Sequence, residues 1–168
     1  MKKSTMKRRA RIVVITGTPG VGKTTLAKEL VRKGYERLDL HRFYTQISDK
    51  YDTRKQCYVI DYTKLVALVK KRLHETTAKG LVVDSHVTHY LPAKLVDLCV
   101  VLCCSDLKVL KRRLQKRKYS VAKIQENLEA EIMQVCLNEA RTRKHKIVMF
   151  DTATIAMQQI VAKISKYL

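Results

Sequence analysis

A three-layer α/β sandwich, with one parallel sheet of five strands wrapped by helices on both faces, is the fold this sequence predicts, and three observations predict it. Short apolar runs alternate with longer helix-periodic segments from Ile12 to the end of the chain, the pattern of parallel strands joined by crossover helices. The first run leads into Gly17-Thr18-Pro19-Gly20-Val21-Gly22-Lys23-Thr24, a glycine-rich loop between strand and helix. The 168 residues form a single domain, 1–168, able to bury roughly 70% of its unfolded surface, and no repeat or low-complexity linker divides it.

Apolar runs bounded by polar breaks predict strands at 12–16, 35–40, 81–84, 98–102 and 147–150. Between them, apolar spacing of three to four residues predicts helices over 24–33, stopped by Gly34; 62–76, stopped near Gly80; 107–117; and 121–144. A last helix covers 155–167. In the longest, Val121, Ile124, Leu128, Ile132 and Val135 line one face, so it is expected to pack by one side only. The polar stretch 41–60, rich in aromatic residues (Phe43, Tyr44, Tyr51, Tyr58), fits neither pattern. It reads as an inserted flap that clamps an acceptor substrate, or as a surface helix with a loop.

Lys plus Arg number 35 against 15 Asp plus Glu, a net charge of +20. Such a field attracts polyanions and also keeps a protein soluble. The cations cluster in three blocks: Lys2 to Arg11, Lys111 to Lys118, and Arg141 to Lys146. With little aromatic interleaving, contact with nucleic acid would be dominated by phosphate and sensitive to salt. Five cysteines, Cys57, Cys99, Cys103, Cys104 and Cys136, show neither metal-ligand spacing nor an even count. They read as reduced thiols of a cytoplasmic protein without a secretory signal, and no segment is long enough to span a membrane.

The loop carries the chemistry. Gly17, Gly20 and Gly22 let backbone N–H groups close round phosphate oxygens in front of a helix N-terminus. Lys23 supplies charge to the β and γ phosphates, the Thr24 hydroxyl is placed to ligate Mg2+, and Thr25 to reach the α phosphate. The pattern therefore implies binding of ATP with Mg2+. The run Leu81-Val82-Val83-Asp84 ends in a carboxylate that completes the metal site or merely caps a turn. His86 projects from the same strand end and is either catalytic or structural; His89 reads as structural. Arg113 and Arg117, four apart on a helix, form either a nucleotide-facing pair or part of a solvated basic face.

The residues GTPGVGKTT, VVDSH with its Asp-x-His at Asp84 and His86, LKRRLQKRKYS and KIQENLEAEIMQVCLNEA together resemble the atypical adenylate kinases, the coilin-interacting nuclear ATPases of eukaryotes and their archaeal counterparts. The likeness runs from about Ile12 to the C-terminal helix. It implies a P-loop fold of the nucleoside monophosphate kinase type, and broad-specificity transfer from ATP to a monophosphate, AMP foremost, with ATPase activity. It also implies a part in maturation of the small ribosomal subunit beside a ribosomal protein and pre-ribosomal RNA. By resemblance, Gly20, Gly22, Lys23, Thr24, Thr25 and Arg117 bind ATP. Residues 39–60 form the monophosphate flap, 117–124 a short lid, and His86 orients an attacking water. Residues 1–11 are a basic tail. The chain departs from the family at Arg117-Lys118-Tyr119, where Arg-Gly-Tyr is usual, and in the flap, where Tyr51-Asp52-Thr53-Arg54-Lys55-Gln56 replaces an acidic run.

Overall fold

The computed structural model describes residues 10–53 and 57–168. The basic tail expected over 1–11 lies outside these up to residue 9, as do residues 54–56 of the flap. In chain order come β1 (Arg11–Thr16), α1 (Lys23–Arg32), β2 (Glu36–Leu38), the short α2 (Tyr44–Ile47), β3 (Ser48–Asp52), β4 (Cys57–Ile60) and α3 (Tyr62–Glu75). Then follow β5 (Gly80–Asp84), β6 (Leu98–Cys103), α4 (Leu107–Lys116), α5 (Val121–Ile132), α6 (Val135–Thr142), β7 (Ile147–Asp151) and α7 (Met157–Tyr167). The five expected strands form one parallel sheet in the order β2-β5-β1-β6-β7.

Alternation along β1 explains the layers. Val13 and Ile15 face a core shared with α1, α4 and α7, through Leu26, Leu30, Leu110, Leu114, Ile160 and Ile164. Ile12 and Val14 face the opposite core, with Leu65 and Val69 of α3 and Leu137 and Ala140 of α6. All four β1 residues are fully buried, each contributing about 1.5–3 kcal/mol through burial. β1 therefore runs through the middle of the sandwich, with β5 on one side and β6 on the other. The chain crosses over in opposite directions from this strand, which opens a crevice at its carboxyl end.

Two expectations are corrected. The single helix expected over 121–144 is two helices, broken at Gln134, whose backbone is left-handed (φ 49°, ψ 41°). The apolar stripe does not pack along its length: Ile124 is buried, but Val121 is 85% and Ile132 63% exposed. Turning the chain at Gln134 carries α6 inward to Leu137 and Ala140 and leaves the end of α5 outside. The stretch 41–60 is not a surface helix with a loop. It is a 3-10 turn (Leu40–Phe43), one turn of α-helix and an antiparallel hairpin, β3 against β4, with an irregular register between Ser48 and Lys50. Cys99 and Cys104 are buried and Cys103 and Cys136 half-buried, all four as free thiols.

Candidate active site: a phosphate loop facing an aromatic flap

The loop between β1 and α1 is held by its glycines from below and by side chains from behind. Gly17 has φ +139°, and a Cβ there would stand 2.3 Å from the Leu102 carbonyl oxygen, so the close approach of the loop to β6 admits no side chain. Gly22, at φ +104°, precedes the first turn of α1, where no side chain caps the amides. Those N–H groups and the helix dipole face the crevice, the arrangement that receives phosphate. Val21 anchors the loop in the core. Lys23 Nζ donates to the carbonyls of Gly17 (2.6 Å) and Thr18 (2.8 Å). Burial lowers its pKa to about 8, because the charged form loses water that two carbonyl dipoles only partly replace.

Two residues the sequence did not single out in these roles brace this loop. Glu131, at the end of α5, accepts from Thr18 Oγ1 with one oxygen and from the Cys104 amide at 2.6 Å with the other. It thereby ties the loop to the end of β6. Arg113 Nη1 donates to the Gly20 carbonyl (3.4 Å) and to Thr152 Oγ1 (3.2 Å). Arg113, expected to reach across a nucleotide, instead lies behind the loop and does not line the cleft.

β5 delivers Asp84, 2% exposed, to the loop. Thr24 Oγ1 donates to its Oδ2 at 3.1 Å. Arg37, on neighbouring β2, grips the same carboxylate with a fork, Nε to Oδ1 at 2.6 Å and Nη2 to Oδ2 at 3.0 Å. A hydroxyl and a carboxylate oxygen in contact at the head of α1 are the hard donors Mg2+ selects, with phosphate and water completing its shell. Among the described residues no cluster of three or more His, Cys, Asp or Glu could hold a metal ion. The donor set thus fits a nucleotide-borne Mg2+ and not a metal caged by protein alone.

A cavity of about 1120 Å³ opens between this loop and the flap. Gly20, Gly22, Lys23, Thr24, Asp84, His86 and Arg117 all line it, so seven of the residues singled out from sequence meet in one cleft. Thr25 is exposed on the first turn of α1 and stands outside the lining. The far wall comes from His41 and Tyr44 of the flap and from Tyr62 and Tyr90. Tyr44 and Ser85 hydroxyls meet at 3.1 Å, which fastens the flap to the end of β5. His86 presents an exposed ring at the base of the cleft. Its pKa is lowered by the protein around it and then by the Lys23 charge, so the imidazole is neutral at pH 7 and can accept a proton from water.

The floor is a buried polar chain. Thr16 Oγ1 meets His89 Nδ1 at 2.8 Å, and His89 Nε2 meets Glu139 Oε2 at 2.7 Å. The Tyr90 hydroxyl donates to Glu139 Oε1 at 3.1 Å. Tyr90 stacks on Tyr62, with ring centroids 4.7 Å apart, and carries the Arg143 guanidinium 4.0 Å from its ring centroid. His89 is fully buried, in keeping with a structural residue.

Residues 13–134 match the AAA domain family. Over 159 residues the chain is 37% identical to a protein of Methanocaldococcus jannaschii provisionally named an adenylate kinase, a match that spans 90% of this chain and 82% of the relative. It is 38% identical over 149 residues to a Dictyostelium discoideum protein named adenylate kinase isoenzyme 6 homolog, covering 86% of this chain and 82% of that one. Among solved structures, the shikimate kinase of Acinetobacter baumannii, in complex with shikimate, aligns over 93% of this chain and 91% of its own with a TM-score of 0.64 at 16% identity. A gluconokinase of Sinorhizobium meliloti aligns over 96% and 93% with a TM-score of 0.59 at 18% identity. At such identities these two speak for the fold alone, that of the P-loop kinases.

Proposed function

This chain belongs to the adenylate kinase isoenzyme 6 family, and we propose that it transfers the γ-phosphoryl group of ATP to a nucleoside monophosphate, with AMP the favoured acceptor. The carrying observation is that one cavity of about 1120 Å³ has the phosphate loop on one wall and the flap on the other. Sites for a single small ligand run from about 300 to 1,000 Å³, so this cleft lies at or above the upper end of that range.

In this reading an acceptor phosphate oxygen attacks the γ phosphorus, the bond to the β–γ bridging oxygen breaks, and two diphosphates leave. Amides of Gly20 and Gly22 hold the donor, with Thr25 beside the α phosphate. Lys23 and Arg117 neutralise charge that builds on the transferring oxygens. Thr24 and Asp84 would hold Mg2+, which when bound would neutralise charge on the phosphates. Arg113 acts at one remove, by fixing the Gly20 carbonyl and hence the loop. The test is chromatography of ATP with each monophosphate in turn; absence of any diphosphate product at millimolar acceptor would end this reading.

A second activity is favoured by His86, whose neutral ring faces the cleft where an acceptor is absent: orientation of water for ATP hydrolysis. A ribosomal setting in the cytoplasm, with a small-subunit protein and pre-ribosomal RNA as partners, is favoured by α4. Its sequence has no carboxylate, and its exposed Lys108, Lys111, Arg112 and Lys116 make no ion pair among the described residues. They offer about three cations for every two helical turns. Phosphate release measured with and without ribosomal RNA, across a salt series, tests both. Among the described residues no helix is long and apolar enough to cross a membrane.

A further inference from the structure

We propose that Arg37 is a positioning residue that couples the metal-anchoring carboxylate to the acceptor flap, an inference that rests on the kinase reading above. Arg37 stands on the edge strand β2, in register with Val82 of β5. Its guanidinium is shared between two carboxylates. Nε and Nη2 hold Asp84, at 2.6 and 3.0 Å, while Nη1 lies 3.3 Å from Asp39 Oδ2. Asp84 belongs to the donor half of the cleft and shares Oδ2 with the Thr24 hydroxyl. Asp39 belongs to the acceptor half. It immediately precedes the 3-10 turn that opens the flap, caps it by accepting from the His41 amide at 3.2 Å, and faces His41 Nδ1 at 3.3 Å.

Thr24, Asp84, Arg37, Asp39 and His41 therefore form one unbroken polar chain from the helix behind the phosphate loop to the flap. Both of its end members line the cavity. The geometry calls for arginine in particular: a planar fork presents two parallel N–H groups to one carboxylate and a third, fixed in direction, to another. Lysine, a point charge on a flexible stem, keeps the charge and loses the registration. Because Asp84 is 2% exposed and the Arg37 side chain only 19% exposed, a shift at one carboxylate is transmitted to the other and not absorbed by water. Donor loading at Thr24 and Asp84 thus sets the position from which the flap meets the acceptor.

A purely structural ion pair would alter stability and leave the two nucleotide affinities independent. Calorimetry on the full chain separates the cases: AMP is titrated with and without the magnesium complex of the non-hydrolysable imido analogue of ATP. In the natural sequence the analogue is expected to tighten AMP binding by roughly fivefold or more, the range of ordinary site-to-site coupling. Arg37→Lys and Asp39→Asn should each bring that factor near one while leaving affinity for the metal-free analogue within about twofold, and the double variant should go no further than either alone. The change Asp39→Asn retains a cap acceptor and leaves the fork on Asp84 intact, so this variant carries the test if Arg37→Lys does not fold. A factor of one in the natural sequence, or the same factor in natural and variant chains, overturns the inference while AMP still binds. Failure of every monophosphate to bind the natural chain removes the kinase reading itself, a separate result.

Discussion

In the kinase reading, the donor wall of the cleft grows out of β1, β5 and β6, whose residues from Ile12 to Ile15 and from Leu81 to Asp84 are almost wholly buried, whereas the acceptor wall adjoins a two-stranded hairpin with Tyr51 50%, Tyr58 37% and Val59 38% exposed. The proposed donor side is shaped by backbone conformation: glycines with positive φ, helix amides and one lysine held beside them. On the acceptor side, side chains do the shaping. Tyr44, Tyr58 and Tyr51 lean on one another with centroids 5.9 and 5.1 Å apart, and the Tyr44 hydroxyl meets Ser85 at the end of β5. Phosphate is the same in every nucleotide and can be met by a fixed mould. An acceptor varies, and a wall of side chains such as His41, Tyr44 and Tyr62 suits it.

If the contrast is sound, perturbing the two walls should have unlike consequences. Lys23→Ala should have the largest effect, a loss of roughly 10²–10³ in kcat, seen in steady-state assays; a mild loss would show that the fixed wall is not where charge is stabilised. The same lysine gives the donor wall a pH signature. Its free-state pKa of about 8 lies below the ordinary 10.5, and a bound polyphosphate would hold the proton on. Above pH 8 nucleotide binding must then take up a proton, and ATP affinity should fall by up to about tenfold per pH unit. Calorimetry in buffers of different ionisation enthalpy reads that uptake, and a flat profile from about pH 7.5 to 9.5 would contradict it.

On the acceptor side, Tyr44→Phe removes the contact with Ser85, a hydrogen bond worth about 1 kcal/mol. It should raise the acceptor KM about fivefold with ATP affinity in the absence of acceptor unchanged; a parallel change in both would mean the contact with Ser85 serves the donor wall as well. The smallest effect belongs to the lid. Lys118 holds φ +58°, a conformation that costs a side-chain-bearing residue about 1 kcal/mol. Lys118→Gly should stabilise the fold by roughly 0.5 kcal/mol after the entropy glycine gives back to the unfolded chain, read as a rise in Tm of about 1–2 °C. Lys118, at the position where the resembled family has glycine, thus sits in a left-handed backbone conformation.

The same contrast explains what the sequence disclosed. Gly17 to Thr24, Asp84 and the five strands were legible because each depends on its neighbours in the chain: an apolar run, a glycine spacing, a strand ending in a carboxylate. The β3–β4 hairpin was not, since Ser48–Asp52 buries no face and carries no alternation to read. Arg37 was passed over because an arginine within an expected strand looks solvated until Asp84, 47 residues away, arrives beside it. Glu131 was hidden in the same way, within a helix whose charged face seemed to look outward. The break at Gln134 has no proline or glycine to announce it.

That break ties the floor of the site to global order. Helices of 12 and 8 residues are too short to persist alone in water, so α5 and α6 exist only while docked, Glu131 against the loop and Glu139 against His89. A partly unfolded chain that retained β1 and its glycines would still lack the clasp on Thr18 and the support under Thr16. Nucleotide affinity in this molecule is accordingly a cooperative property, gained or lost with the whole domain.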